Sequence, residues 1–113
     1  MKFLVVDDEA QWRQLLSMWL THLSIEHDTS ENGFDAIKRL QSGGYTHVTI
    51  DLFMPKMDGL TLCRYIKQNF QVIVIVLTNH PDVGKLLDHE IRYKFPKPQG
   101  QKEFEFIIKK AIA

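Results

Sequence analysis

The chain has 113 residues, with fourteen Lys and Arg against fourteen Asp and Glu, 44% hydrophobic and 25% charged. That length fits one domain over residues 1–113 and leaves no space for a second, and the composition is that of a folding chain rather than a disordered one. A net charge of +0 provides no general field for a polyphosphate, so direct nucleic-acid binding by this segment is not expected.

Lys2–Val6 is an apolar, β-branched run ending in Asp7 and Asp8, which reads as a buried strand that delivers its last residues to a loop. The period then changes. Trp12, Leu15, Leu16, Trp19, Leu20 and Leu23 recur at helical spacing with one wide apolar face, with Asp8 as the expected cap. The two tryptophans share that stripe and are expected in the core. A strand near Ile25–Thr29, a helix near Phe34–Leu40 closed by Gly43 and Gly44, and a strand over Tyr45–Ile50 ending at Asp51 follow. A loop with Met54, Pro55 and Gly59 leads to a helix with Leu62, Cys63 and Ile66 inward. Cys63 is the only cysteine; it excludes an internal disulfide and a thiolate metal cluster, and helix packing is its expected role.

Val72–Leu77 is the most hydrophobic run and reads as a strand central in the sheet. It is too short to cross a bilayer, and the N-terminus has a strand-like rather than a signal-peptide layout, so no membrane association and a cytoplasmic location are expected. Beyond it come a helical stretch near Val83–His89, a brief strand Ile91–Phe95, a Pro96-Lys97-Pro98 turn and a closing helix with Phe104, Ile107, Ile108 and Ala111 on one face. Pro96 cannot donate to a ladder, so its strand belongs at a sheet edge. Lys109 and Lys110 suit the negative end of the last helix. Strand–helix alternation of this kind predicts an α/β domain: a parallel sheet, helices on both faces, right-handed crossovers, and ligands at the carboxyl ends of the strands.

On that scaffold the polar residues gather at one end. Asp7 and Asp8 follow the first strand, Asp51 the third, Thr78 the fourth and Lys97 the fifth. Any one of them alone suits a helix cap or a wet loop; together they form a constellation. Clustered carboxylates repel unless a cation joins them. Mg²⁺ suits them, because it takes a few carboxylate oxygens, keeps its waters and binds phosphate, whereas softer metals would ask for His or Cys. A carboxylate beside such an ion can attack a phosphoryl group to give an aspartyl-phosphate. Asp51 is placed for that role, with Thr78 and Lys97 as the hydroxyl and cation facing the transferred oxygens.

Leu4-Val5-Val6-Asp7-Asp8, Asp51 with Met54-Pro55 and Asp58-Gly59, Val76-Leu77-Thr78, and Lys97-Pro98, in this order across the whole chain, resemble the receiver domain of two-component response regulators. The resemblance implies a flavodoxin-like, doubly wound (βα)5 fold with strand order 2-1-3-4-5. It implies a phosphoacceptor at Asp51 and a Mg²⁺ site formed by Asp8, Asp51 and the Phe53 backbone carbonyl, with Asp7 acting mainly through water. Thr78 and Lys97 would contact the phosphoryl oxygens, and a cis Lys97-Pro98 peptide would aim the ammonium. The partners implied are a sensor histidine kinase or a histidine phosphotransfer protein, and a downstream target or an output domain outside this segment. The chain would be a switch, catalysing only its own phosphorylation and dephosphorylation.

Several positions depart from the family pattern. Lys94, flanked by Tyr93 and Phe95, stands where a switch aromatic is usual. The short interval from Thr78 to Lys97 suggests a trimmed helix between the last two strands, and Asn79 replaces a small residue. His80 and Phe53 are near enough in sequence to screen the site. His22, His27, His47 and His89 show no metal-ligand spacing. Two other readings compete. A phosphotransferase or phosphatase with an aspartyl nucleophile would carry a second acid two residues on, where Phe53 stands. A receiver-like interaction module working independently of phosphorylation draws support from the altered output face.

Overall fold

The computed structural model describes residues 1–79 and 90–112. The helical stretch expected near Val83–His89, and with it His80 and His89, lies outside the described residues. In chain order the elements are β1 (Lys2–Val6), α1 (Ala10–His22), β2 (Glu26–Ser30), α2 (Gly33–Gln41), β3 (His47–Ile50), α3 (Gly59–Asn69), β4 (Ile73–Leu77), β5 (Tyr93–Phe95) and α4 (Gln101–Ile112). No helix among the described residues is long and apolar enough to cross a membrane.

The five strands are parallel in the order β2-β1-β3-β4-β5, the doubly wound architecture expected. The twofold period of the strands divides the core. Leu4, Val6, Val48, Ile50, Val74 and Val76 face α2 and α3, where Ala36, Leu40, Leu62, Cys63 and Ile66 cover them. Phe3, Val5, Ile75 and Leu77 face α1 and α4, against Leu16, Trp19, Leu20, Phe104, Ile107 and Ile108. A fully buried side chain of this size contributes about 1.5–3 kcal/mol, so each helix is held chiefly by the stripe it lays on the sheet.

Some boundaries and placements differ from expectation. β2 runs one residue later, as Glu-His-Asp-Thr-Ser with only Ser30 buried. It is an edge strand held by its ladder to β1, while Ile25 belongs to the core beneath α1. β3 begins at His47, although Thr46 already bonds to both neighbours, its N–H to Lys2 O and its carbonyl to the Ile73 N–H. β4 is interior, but the middle strand is β3. β5 is short and lies at the edge, as Pro96 requires. Asp8 is not the cap of α1: Glu9 holds the N-cap position without a side-chain bond, and Asp7 Oδ1 accepts the Glu9 N–H at 2.9 Å. His47 is a packing residue, stacked on Phe3 at 4.5 Å.

Candidate functional site

Register places the polar residues. Val6 pairs with Ile50, Ile50 with Val76, and Leu77 with Phe95, so the residues that follow emerge together at the carboxyl edge. The strand order reverses between β1 and β3, which opens a crevice at this edge. Backbone bonds hold the emerging residues: Asp7 N–H to Ser30 O, Asp51 N–H to Val6 O and Thr78 N–H to Phe95 O, at 3.0–3.2 Å.

Asp7, Asp51, Thr78 and Lys97 are all buried, at 2%, 6%, 5% and 6% exposure, unusual for charged groups unless they are paired. The Lys97 ammonium is 3.1 Å from Asp7 Oδ2, 3.2 Å from Asp51 Oδ2 and 3.7 Å from Glu9 Oε1. One cation therefore serves two buried carboxylates and neither is fully compensated. Burial raises the Asp7 carboxyl above its ordinary pKa; the Glu9 N–H and the Lys97 charge oppose this, and Asp51 adds to it. Burial works against the charge on Lys97, but Asp7 and Asp51 outweigh it and lift its pKa above the usual value.

Carboxylate oxygens of Asp7, Asp8, Glu9 and Asp51 lie within 4.8 Å of one another. Asp8 Oδ1 is buried and accepts no hydrogen bond. An oxygen stripped of water without a donor costs about 1–3 kcal/mol, and a hard divalent cation would supply what it lacks. The donor set fits Mg²⁺, all oxygen and mostly anionic. Glu9 was not singled out from sequence, although its place after Asp7-Asp8 was the available signal.

The loop from β3 to α3 supports the same edge. Asp51 Oδ1 accepts the Phe53 N–H at 3.2 Å, while the Phe53 side chain is 47% exposed and Leu52 and Met54 are buried. Asp58 caps α3, accepting from Thr61 N–H at 2.8 Å. Gly59 follows it, and a Cβ there would stand 2.3 Å from the Asp51 carbonyl oxygen, so only glycine lets the helix approach this closely.

One expectation about Lys97 is corrected, and its surroundings hold one contact more than expected. Among the described residues no peptide bond is cis, so Lys97-Pro98 is trans; the long lysine stem reaches the carboxylates from that backbone. Trp12 is part-buried against the core, and its ring also lies 4.7 Å from the Lys97 ammonium, a contact that helical spacing does not reveal. Tyr93 and Phe95, either side of Lys94, pack against the core on the α1 and α4 face.

The family model described as response regulator receiver domain matches residues 3–109. The transcriptional regulatory protein ResD of Bacillus subtilis is 42% identical over 77 residues, covering 68% of this chain and 32% of its own. This chain thus spans about a third of the length of the curated relatives it matches. The response regulator TrrA of Thermotoga maritima, solved in complex with Mg(2+)-BeF, is 33% identical with a TM-score of 0.87, covering 97% of both chains. A CheY-like receiver domain of Methylobacillus flagellatus shares the fold, with a TM-score of 0.86 at 23% identity over 98% of each chain. With its strand order, its acidic edge and these matches, the chain belongs to the response regulator receiver family, signalling domains of two-component systems.

Proposed function

We propose that residues 1–113 act as one phosphoacceptor switch, in which Asp51 takes a phosphoryl group from a phosphohistidine donor. The observation that carries this reading is the pairing of a buried Asp51 with Lys97 at 3.2 Å inside an acidic cluster whose Asp8 oxygen has no hydrogen-bond donor. A carboxylate oxygen of Asp51 attacks phosphorus, the P–N bond to the donor imidazole breaks, and the imidazole leaves with the electron pair and is protonated. Asp8, Asp51 and the Phe53 carbonyl would hold Mg²⁺, with Asp7 acting through water; when bound, the ion supplies charge neutralisation of the carboxylates and the phosphoryl group. Lys97 then exchanges an Asp51 oxygen for a phosphoryl oxygen, and Thr78 offers its hydroxyl from the end of β4.

The donor is a sensor histidine kinase or a histidine phosphotransfer protein. The catalytic capacity is confined to the chain's own phosphorylation and dephosphorylation, in the cytoplasm, with no nucleic acid bound by this segment. The modified site would shift the population between two conformations read by a downstream target or an output domain. That TrrA takes up Mg(2+)-BeF supports the same use of this edge here.

Acetyl phosphate with Mg²⁺, followed by intact-mass measurement, tests the reading. One phosphoryl mass is expected, dependent on Mg²⁺ and absent from Asp51→Asn. No modification across small donors and kinases, together with no beryllofluoride binding, would favour the phosphate-independent interaction module.

A further inference from the structure

We propose that Trp12 is a positioning residue for Lys97, fixing its ammonium at the carboxylate cluster through the face of the indole ring. The inference rests on the reading of Asp51 as acceptor, because a placed ammonium matters to transfer only where a phosphoryl group arrives. The nitrogen that meets Asp7 and Asp51 at 3.1 and 3.2 Å lies 4.7 Å from the Trp12 ring centroid. An aromatic face attracts a cation most strongly where water is excluded, and the lysine side chain is only 5% exposed.

The ring is held where it can do this. Arg13, the next residue, donates its Nη1–H to the Asp7 carbonyl at 2.8 Å and its N–H to Glu9 O at 3.1 Å. These bonds tie the first turn of α1 to the end of β1. Inward, Trp12 shares with Leu16, Thr49 and Leu77 the narrow space beside Asp51 and Lys97. Outward, it borders an open groove of about 500 Å³ along α1, lined also by Gln11, Leu15 and Met18. A four-carbon stem samples many rotamers. A ring that selects one keeps the charge in place while an Asp51 oxygen is exchanged for a phosphoryl oxygen.

The test varies the ring's electrostatics with little change in its shape. In a Trp19→Phe background only one tryptophan remains of the two, and it is replaced biosynthetically by tryptophans of rising fluorine content, which weaken the negative face. Trp12→Leu and Trp12→Tyr in the unaltered background complete the series and keep the test open if Trp19→Phe fails to fold. One readout is the Lys97 ammonium resonance without Mg²⁺ or phosphodonor; the other is the rate of phosphorylation by acetyl phosphate with Mg²⁺. The resonance should move progressively with fluorination. The rate should fall in step, by roughly 30-fold for Trp12→Leu, the size of one cation–π contact shielded from water, and Trp12→Tyr should restore most of it. A resonance and rate indifferent to fluorination, or a Trp12→Leu loss that tyrosine does not restore, would overturn the role. A resonance that follows fluorination in a protein that neither small donors nor kinases modify, and that binds no beryllofluoride, would uphold the Trp12–Lys97 contact and overturn Asp51 as acceptor.

Discussion

Gly59→Ala should damage both the stability of the domain and the reactivity of Asp51. A Cβ at Gly59 would stand 2.3 Å from the Asp51 carbonyl oxygen, 2.5 Å from Leu52 Cα and 2.9 Å from the Asp51 carbonyl carbon. Ordinary carbon contacts of about 3.5–4.0 Å therefore demand a separation of about 1 Å. These three nearest atoms are all backbone, so no side chain can swing aside to relieve the contact. Sliding the helix away would stretch the Gly59 N–H bond to Leu52 O, now 2.9 Å. Overpacking costs about 1–3 kcal/mol, and a backbone clash belongs at the upper end. The better helix propensity of alanine returns at most about 1 kcal/mol. A net loss of about 2 kcal/mol lowers the thermal midpoint by roughly 10 °C. A shift of about 1 Å at the acceptor slows phosphoryl transfer by about 100-fold. Circular dichroism melting and the acetyl phosphate rate, measured well below the midpoint, check the two effects. Gly43→Ala serves as the control: its φ of +82° strains alanine but its surroundings are open, so it should cost about 1–2 kcal/mol and leave the rate alone. A Gly59→Ala protein with both midpoint and rate unchanged would refute the reasoning, since the acceptor loop would then yield freely.

Other expectations follow from the same geometry. Lys97→Met leaves Asp7 and Asp51 buried without their shared cation, at about 3 kcal/mol; Mg²⁺ should raise the melting temperature of this variant more than that of the parent, and an equal rise would count against a common site. Burial depresses the His47 pKa below its ordinary 6.5, so the folded state binds its proton less readily than the unfolded chain. The stability tied to His47 is thus present above about pH 6.5 and is lost as pH falls from there through the folded-state value. His47→Phe keeps a ring stacked on Phe3 and should flatten that part of the stability profile in urea titrations; an undiminished slope would assign it to another group. The Cys63 thiol is pushed up to about 12 by burial, so a thiol reagent at pH 8 should label it only as fast as the domain opens. Rapid labelling of the native protein would show α3 to be loosely packed.

The alternation of Phe3 and Val5 with Leu4 and Val6, and the helical stripes of Leu16, Trp19 and Leu20 or Leu62, Cys63 and Ile66, report burial directly. Each strand and helix in the described residues was therefore legible within a residue or two, the largest offsets being the two-residue late starts of β3 and β5. β2 was the hardest strand to bound, because an edge strand of Glu-His-Asp-Thr-Ser is held by its ladder and not by an apolar pattern. Asp7, Asp8, Asp51, Thr78 and Lys97 could be gathered from sequence because chemistry at the carboxyl ends of parallel strands needs only strand order, and strand ends are marked by the loss of apolar residues.

Distance and competition between partners belonged to the tertiary structure. Asp8 was expected to serve the start of α1, and the fold placed the neighbouring carboxylate there instead: Asp7 turns to the Glu9 N–H and Asp8 keeps an oxygen without a donor. Glu9 entered the cluster, and Trp12 came over Lys97, because residues 9 and 12 meet residue 97 only after β1 and β5 are set in one sheet. Local periodicity records which face of an element is buried; it carries no information about which polar group across the sheet a buried side chain meets. For this protein the order of residues determined the architecture and brought Asp7, Asp8, Asp51, Thr78 and Lys97 to one edge, and folding decided which carboxylates the lysine meets, which oxygen is left without a hydrogen-bond donor, and which ring lies against the lysine.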